Sequence, residues 1–259
     1  MERDRRNIRA VDLFGVFWRS FFVQASWSYE RMQSLGFAFA MVPVLRRLYP
    51  DPAERGRRVA LHMEYFNTQP YLASFILGAA ARLEEELALG SRPDADVSEL
   101  KKTLMAPLGA LGDSFFWGSL KPLAAAAAVA ALLAGAWWAP VLFLVLFNAG
   151  HVTLRLALVR LGYRTGGDVV ALLSRYNFTR LASLFKAMTL AVAGSAVGMV
   201  TLWREEFRPL WPCPAPACAL AGLAMALVLA GLLRKGLSPA KLMLGLAALC
   251  LALAFGGIV

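Results

Sequence analysis

The chain has little of the side-chain chemistry on which catalytic and metal sites are built. Two histidines and three cysteines occur in 259 residues, and charged side chains make up only 17% of the whole. Cys213 and Cys218 stand close together, but a zinc site needs more ligands than these two supply, and neither His62 nor His151 is near them in the sequence. A disulfide between them is possible in an oxidising compartment. Both histidines also lack a Gly-rich phosphate cradle or paired carboxylates, which argues against an autonomous phosphoryl site. The N-terminus, MERDRRNIRA, is charged, and no short apolar stretch with a small-residue cleavage site follows it. A secretory signal peptide is therefore not expected.

The shortage of charge is matched by an excess of apolar residues. Hydrophobic residues make up 59% and the mean hydropathy is +0.56, where soluble domains carry roughly 25% charge. Uncharged runs cover Met32 to Leu45, Tyr65 to Ala81, Pro122 to Gly150, Ala187 to Trp203, Pro209 to Leu233 and Leu242 to Val259. A spanning helix needs about 20 apolar residues. The runs from Pro122, Pro209 and Leu242 meet that length and Ala187 to Trp203 sits at its lower edge. Met32 to Leu45 would reach only about 21 Å as a helix, so an interfacial or re-entrant segment is expected there.

The net charge is +10, but the basic residues lie between apolar runs, where they set membrane topology rather than bind nucleic acid. One cluster holds Arg46, Arg47, Arg55, Arg57 and Arg58, a second runs from Arg155 to Lys186, and a third holds Arg234, Lys235 and Lys241. The positive-inside rule places all three, with the N-terminus, in the cytoplasm of an inner membrane. Counting forward from the second cluster puts Arg204 to Pro216 and the C-terminus in the periplasm. Val11, Phe14, Trp18 and Phe21 recur at three- to four-residue spacing near Arg9 and Arg19, which predicts an amphipathic helix with an aromatic face for the membrane interface or for a partner subunit.

The expected fold is all-α: a polytopic membrane protein with transmembrane helices and re-entrant broken helices, in one domain over residues 1–259. Residues 1–31 form its amphipathic N-terminal segment and 32–121 a broken-helix region. Residues 122–259 supply the transmembrane helices, with a basic cytoplasmic segment near 151–186.

Three polar islands interrupt the apolar sequence. His62 to Tyr71 puts Glu64, Asn67 and Gln69 beside Pro70; Ala106 to Gly118 sets Asp113 after Pro107, Gly109 and Gly112, which suggest a bend, and before Phe116 and Trp117; Phe147 to His151 closes the long run from Pro122. Polar groups at membrane depth are costly unless paired, and Pro and Gly breaks are tolerated only where protein or a water-filled cavity satisfies the backbone. Two uses follow: capping of broken helices, or a binding site. As a site for a small polar ligand, Glu64, Asn67, Gln69, Asp113 and Trp117 supply carboxylates, two-faced amides and an aromatic wall.

These segments resemble the IID subunits of the mannose, fructose and sorbose family of phosphotransferase (PTS) sugar permeases. Arg19 to Ala38 is similar to the N-terminal signature of that family, His62 to Tyr71 to its HLEFFNTHPY motif, and Ala106 to Pro122 to GPLAGIGDPLFWGTLRP. Leu77 to Glu86, Leu146 to Tyr163 and Leu233 to Pro239 match further segments in order. Gln69 stands where many relatives carry histidine, Ser114 where many carry proline, and His151 where most carry another residue. The resemblance implies a membrane subunit with no cofactor and no phosphorylated residue of its own. Its implied partners are a IIC subunit in the membrane, the phosphocarriers IIB and IIA, and a hexose moved by an elevator-type carrier. A homo-oligomer of IIC–IID pairs is expected. An orphan scaffold or regulatory protein that kept the fold without transport is the alternative.

Overall fold

A computed structural model describes residues 7–92, 96–166, 180, 183–184, 187–192, 224, 227–229 and 231–256. Among them the secondary structure is helical apart from two isolated β-bridges, Ser28 with Met32 and Met32 with Phe66. The Cys213–Cys218 loop lies outside these residues. So does most of the two spans expected between Ala187 and Leu233.

Helix α1 (Ala10–Ser20) begins where the Arg9 N–H donates to the Asp12 carboxylate at 2.9 Å. Its two faces differ as the spacing predicts: Val16, Phe17 and Ser20 are buried, while Val11, Phe14 and Trp18 are exposed. Asp12 also pairs with Arg47 at 3.2 Å, fastening α1 to the end of α2 (Ser34–Leu48). With 15 residues, α2 reaches only about 22 Å and cannot cross a bilayer alone. Helix α3 (Pro52–His62) is capped by Asp51, which accepts from the Glu54 N–H at 2.9 Å.

The next apolar run is divided between loop and helix. Residues 63–72 are irregular, and α4 (Ala73–Ala88) is buried over most of its length. Hydropathy alone does not separate a lipid-facing helix from one enclosed by protein. Here α4 is enclosed: it packs along α7 and touches α1, α2 and α5.

Helix α5 (Val97–Gly112) continues without a break through a π-helical segment, Asp113–Leu120, into α6 (Lys121–Leu133). No loop interrupts the helix at Pro107, Gly109 and Gly112. The glycines serve approach instead, since a Cβ on Gly112 would lie 2.5 Å from the Gln69 Cβ, and one on Gly109 would touch Thr68.

The long run from Pro122 to Gly150 also differs from expectation, being two helices. Helix α6 ends at Leu133, where Gly135 takes a φ of +87° and the Ala136 N–H closes onto the Ala131 carbonyl at 2.9 Å, a glycine-type helix stop. Helix α7 (Ala139–Thr165) restarts with Pro140 in its first turn. Trp137 and Trp138 project at the tip of this hairpin, 85% and 47% exposed, as suits a membrane interface. His151 therefore sits about 18 Å along α7 rather than at the end of a span. Val97–Leu133 and Ala139–Thr165 are each long and apolar enough to cross a membrane. Helix α8 (Pro239–Phe255), capped by Ser238, supplies a further apolar segment with Met243, Leu244 and Leu251 exposed.

Outside the spanning helices, a buried ionic cluster joins α2, α3 and α4. Glu84 receives both Nη2 (2.7 Å) and Nε (3.0 Å) of Arg58, the Tyr49 hydroxyl at 2.8 Å and His62 Nε2 at 2.9 Å. Lys101 Nζ donates to the His62 carbonyl at 3.4 Å. Burial lowers the His62 pKa below its ordinary value against the opposing pull of Glu84. Its Nδ1 is buried without a hydrogen-bond partner among the described residues, so a second ring proton would have nowhere to point.

The sign of the pH effect follows. Unfolded histidine binds its proton near pH 6.5, the folded chain binds it only at lower pH, and stability therefore falls as pH drops through about 6.5. The melting temperature should hold between pH 8 and 7 and decline toward pH 5, and His62→Gln should flatten that decline. An equal slope in the variant would assign the acid loss to other groups.

Candidate binding cavity

A cavity of about 450 Å³ opens where the 64–70 loop crosses α5 and the π segment. Its polar wall is Gln24, Gln33, Asn67, Thr68 and Asp113, and Tyr65 and Trp117 add aromatic faces. The loop is fixed by its backbone partners. The Gln33 carboxamide donates to the Thr68 carbonyl at 2.7 Å and accepts the Thr68 N–H at 3.2 Å. The Thr68 hydroxyl donates to the Met105 carbonyl of α5 at 2.8 Å, and the Gln33 N–H reaches the Phe66 carbonyl at 2.8 Å. The Phe66 carbonyl and the Thr68 backbone and hydroxyl groups of this irregular segment are thus met within the protein, as a loop in a membrane chain requires, while Gln69 Nε2 is buried without a partner among the described residues.

Asp113 is the first residue of the π segment. A π turn widens the helix and changes which side chains share a face, and such turns are frequent at functional sites. The Ser119 hydroxyl donates to the Ser114 carbonyl at 2.8 Å within this turn. Trp117 is 39% exposed and its ring is overlain by Lys121 Nζ at 5.1 Å from the centroid.

Of the five residues singled out from the sequence, Asn67, Asp113 and Trp117 line the cavity, although 46 positions separate Asn67 from Asp113 (113 − 67). The Asn67 and Asp113 side chains make no hydrogen bond to described residues, so their polar atoms are available to a ligand. Glu64 and Gln69 do not line the cavity. Glu64 accepts from the Ser98 hydroxyl at 2.5 Å, joining the loop to the first turn of α5. Gln69 is buried, and its Oε1 accepts from the N–H groups of Tyr71 (2.8 Å) and Leu72 (3.0 Å) at the entry to α4.

Gln24 and Gln33 also line the cavity, beside the residues singled out from the sequence. Gln24 stands inside the N-terminal signature, where amide groups beside aromatics were a usable signal. For Gln33 the signal is its partner Thr68, which only the fold brings near.

The third polar island lies behind the aromatic wall. His151 stacks on Tyr71 with centroids 4.4 Å apart and planes 9° apart, and Tyr71 meets Phe116 edge-on at 4.7 Å. Asn148 joins His151 Nε2 at 2.8 Å and donates to the Leu144 carbonyl at 2.7 Å. Arg155 is buried over Phe21 and Tyr71, with guanidinium carbons 4.8 and 4.9 Å from the two centroids, and donates to the Ser20 carbonyl at 2.6 Å. This array locks the end of α1 to α4 and α7.

Described residues that are helical throughout their regular structure, with long exposed apolar helices and a polar cavity at a π turn in one of them, define a membrane protein of the transporter class. Residues 7–203 match the family model described as the PTS system mannose/fructose/sorbose family IID component, and the chain belongs to that family. It is 40% identical over 207 residues to the mannose-specific EIID component of Escherichia coli strain K12, covering 79% of this chain and 72% of the relative. It is 32% identical over 202 residues to the fructose permease IID component of Bacillus subtilis strain 168, covering 78% and 73%. A solved structure described as a membrane protein superposes with a TM-score of 0.71 at 32% identity, covering 97% of this chain and 98% of that one. A cryo-electron microscopy structure of the mannose transporter ManYZ in complex with microcin E492 superposes with a TM-score of 0.59, at the same identity and coverage.

The chain is therefore a IID membrane subunit of a phosphotransferase sugar permease, as its motifs imply. The scaffold alternative is not favoured.

Proposed function

We propose that the cavity at Asn67, Asp113 and Trp117 contacts the sugar, and that a IIC subunit closes its open side. The single observation that carries this reading is the pairing of two free polar side chains with an aromatic face at a π turn. A hexose hydroxyl both donates and accepts, which suits an amide and a carboxylate together, and the Trp117 ring offers a surface for the apolar side of a pyranose. A volume of about 450 Å³ falls within the range of small-molecule sites. Gln24 adds a second amide. In the same reading Glu64 and Gln69 act behind the site, holding the loop that carries Asn67. The solved ManYZ complex supports a IIC partner, and the family supports phosphorylation of the sugar by IIB fed from IIA. The basic clusters support a cytoplasmic N-terminus and a periplasmic C-terminus in the inner membrane, with IIC–IID pairs assembling further.

Asn67→Ala and Asp113→Asn should each insert and co-purify with IIC, with sugar affinity weakened about 5- to 150-fold, the effect of leaving one buried hydrogen-bonding group unpaired (~1–3 kcal/mol). Binding and thermal stability are to be measured on one preparation. A stable double variant with unaltered affinity removes the pair from the site.

A further inference from the structure

We propose that the groove between the end of α2 and one face of α3 holds the headgroup of an anionic phospholipid. The cavity there is about 290 Å³, floored by Val42, Leu45 and Val59, with Arg46 and Arg55 among its lining residues. The segment from Arg46 to Arg58 carries five arginines against Asp51 and Glu54, a net of +3 (5 − 2). Two of those arginines are already committed, Arg47 to Asp12 and Arg58 to Glu84. Arg46, Arg55 and Arg57 have no carboxylate within ion-pair distance among the described residues. Arg55 instead donates to the carbonyls of Tyr49 and Pro50, each at 3.3 Å, which holds its guanidinium beside the groove with further donors to spare. Asp51 is engaged as the cap of α3, and Glu54 does not line the cavity.

Two features favour a lipid over an acidic protein surface. The floor is apolar, so an occupant must bring hydrocarbon as well as negative charge, and guanidinium forks match a phosphate. The amphipathic α1, with Val11, Phe14 and Trp18 exposed, is also tied to the same basic cluster, because Asp12 pairs with Arg47. An amphipathic helix beside a basic cluster is the arrangement by which anionic lipids are held at a membrane surface.

The test uses the purified full chain in mild detergent, with phosphatidylglycerol or phosphatidylcholine added and lipid retention read by native mass spectrometry. Phosphatidylglycerol should be retained in preference. Arg46→Gln with Arg55→Gln should lower its retention by roughly 5-fold per arginine, or about 25-fold together. Arg234→Gln with Lys235→Gln removes the same charge from the turn before α8 and should leave retention unchanged. Equal retention of the two lipids, equal loss in both double variants, or no loss in the first overturns the assignment. So does a co-purifying protein that the first double variant releases while lipid stays bound. The readout uses no sugar, so it stands or falls separately from the site at Asn67 and Asp113.

Discussion

Gly162→Leu should abolish accumulation of the folded subunit, and Gly162→Ala should already lower its melting temperature sharply. Helices α4 and α7 cross backbone to backbone at this point. A Cβ added to Gly162 would collide with the Phe75 carbonyl oxygen and stand 2.9 Å from the Ala79 nitrogen. The contact is reciprocal, because a Cβ on Gly78 would collide with the Val159 carbonyl oxygen. Overpacking an ordinary core costs about 1–3 kcal/mol, relieved by shifts of neighbouring side chains. Here the obstacle is main chain within two helices, so relief requires the helices to part along the most extensive helix–helix interface among the described residues. Gly150 provides the control on the same helix, since a Cβ there meets nothing within 4 Å. If Gly150→Ala and Gly162→Ala melt alike, the crossing is looser than described.

Arg58→Met should destabilise the protein more than Glu84→Gln, although both break the same ion pair. The Glu84 side chain is 0% exposed and that of Arg58 is 23% exposed. Removing Arg58 leaves a carboxylate sealed in the core with only Tyr49 and His62 to answer it, and an uncompensated charge of that kind costs about 3–5 kcal/mol. Removing the Glu84 charge leaves a guanidinium that reaches water along its own stem, which discounts the loss. Burial tends to raise the Glu84 pKa, but the His62 hydrogen bond and the Arg58 charge outweigh it and hold the carboxyl below its ordinary value. Its stabilisation is thus present above the unfolded value near pH 4.3 and is lost as pH falls through the folded one. Thermal melts at pH 7.5 check the order, and the double variant should recover part of the loss of Arg58→Met. Equal destabilisation by the two single variants would mean that the pair is wetter than the geometry indicates.

The helical class, the membrane setting and the aromatic stripe of α1 were legible in the chain because each is written as local periodicity or run length. That Asn67, Asp113 and Trp117 line one cavity was partly legible, because polar and aromatic residues beside Pro and Gly stand out in apolar sequence. Run length fails where an apolar stretch turns back. Residues 122–150 read as one span, yet Gly135 and Pro140 are the stop and start signals of two helices, and hydropathy registers neither. The same blindness hid α4, whose apolar residues face protein. Pro107, Gly109 and Gly112 suggested a bend because the sequence does not say that the room they leave is taken by Thr68 and Gln69. The roles of Gln33 and Glu64 depend on Thr68 and Ser98, each more than thirty positions away, and no local pattern encodes such pairs.

The two-way bond between Gln33 and Thr68 restricts what evolution can write at position 33. The side chain must accept and donate at once, on an arm long enough to reach across to another backbone. Asparagine has both groups on a shorter arm, ionised glutamate only accepts, and lysine only donates. In the proposed site the residues that meet the cargo, Asn67, Asp113 and Trp117, are not the one that holds the loop. A change at position 33 would therefore shift the loop, and Asn67 with it, without touching the cavity's other wall.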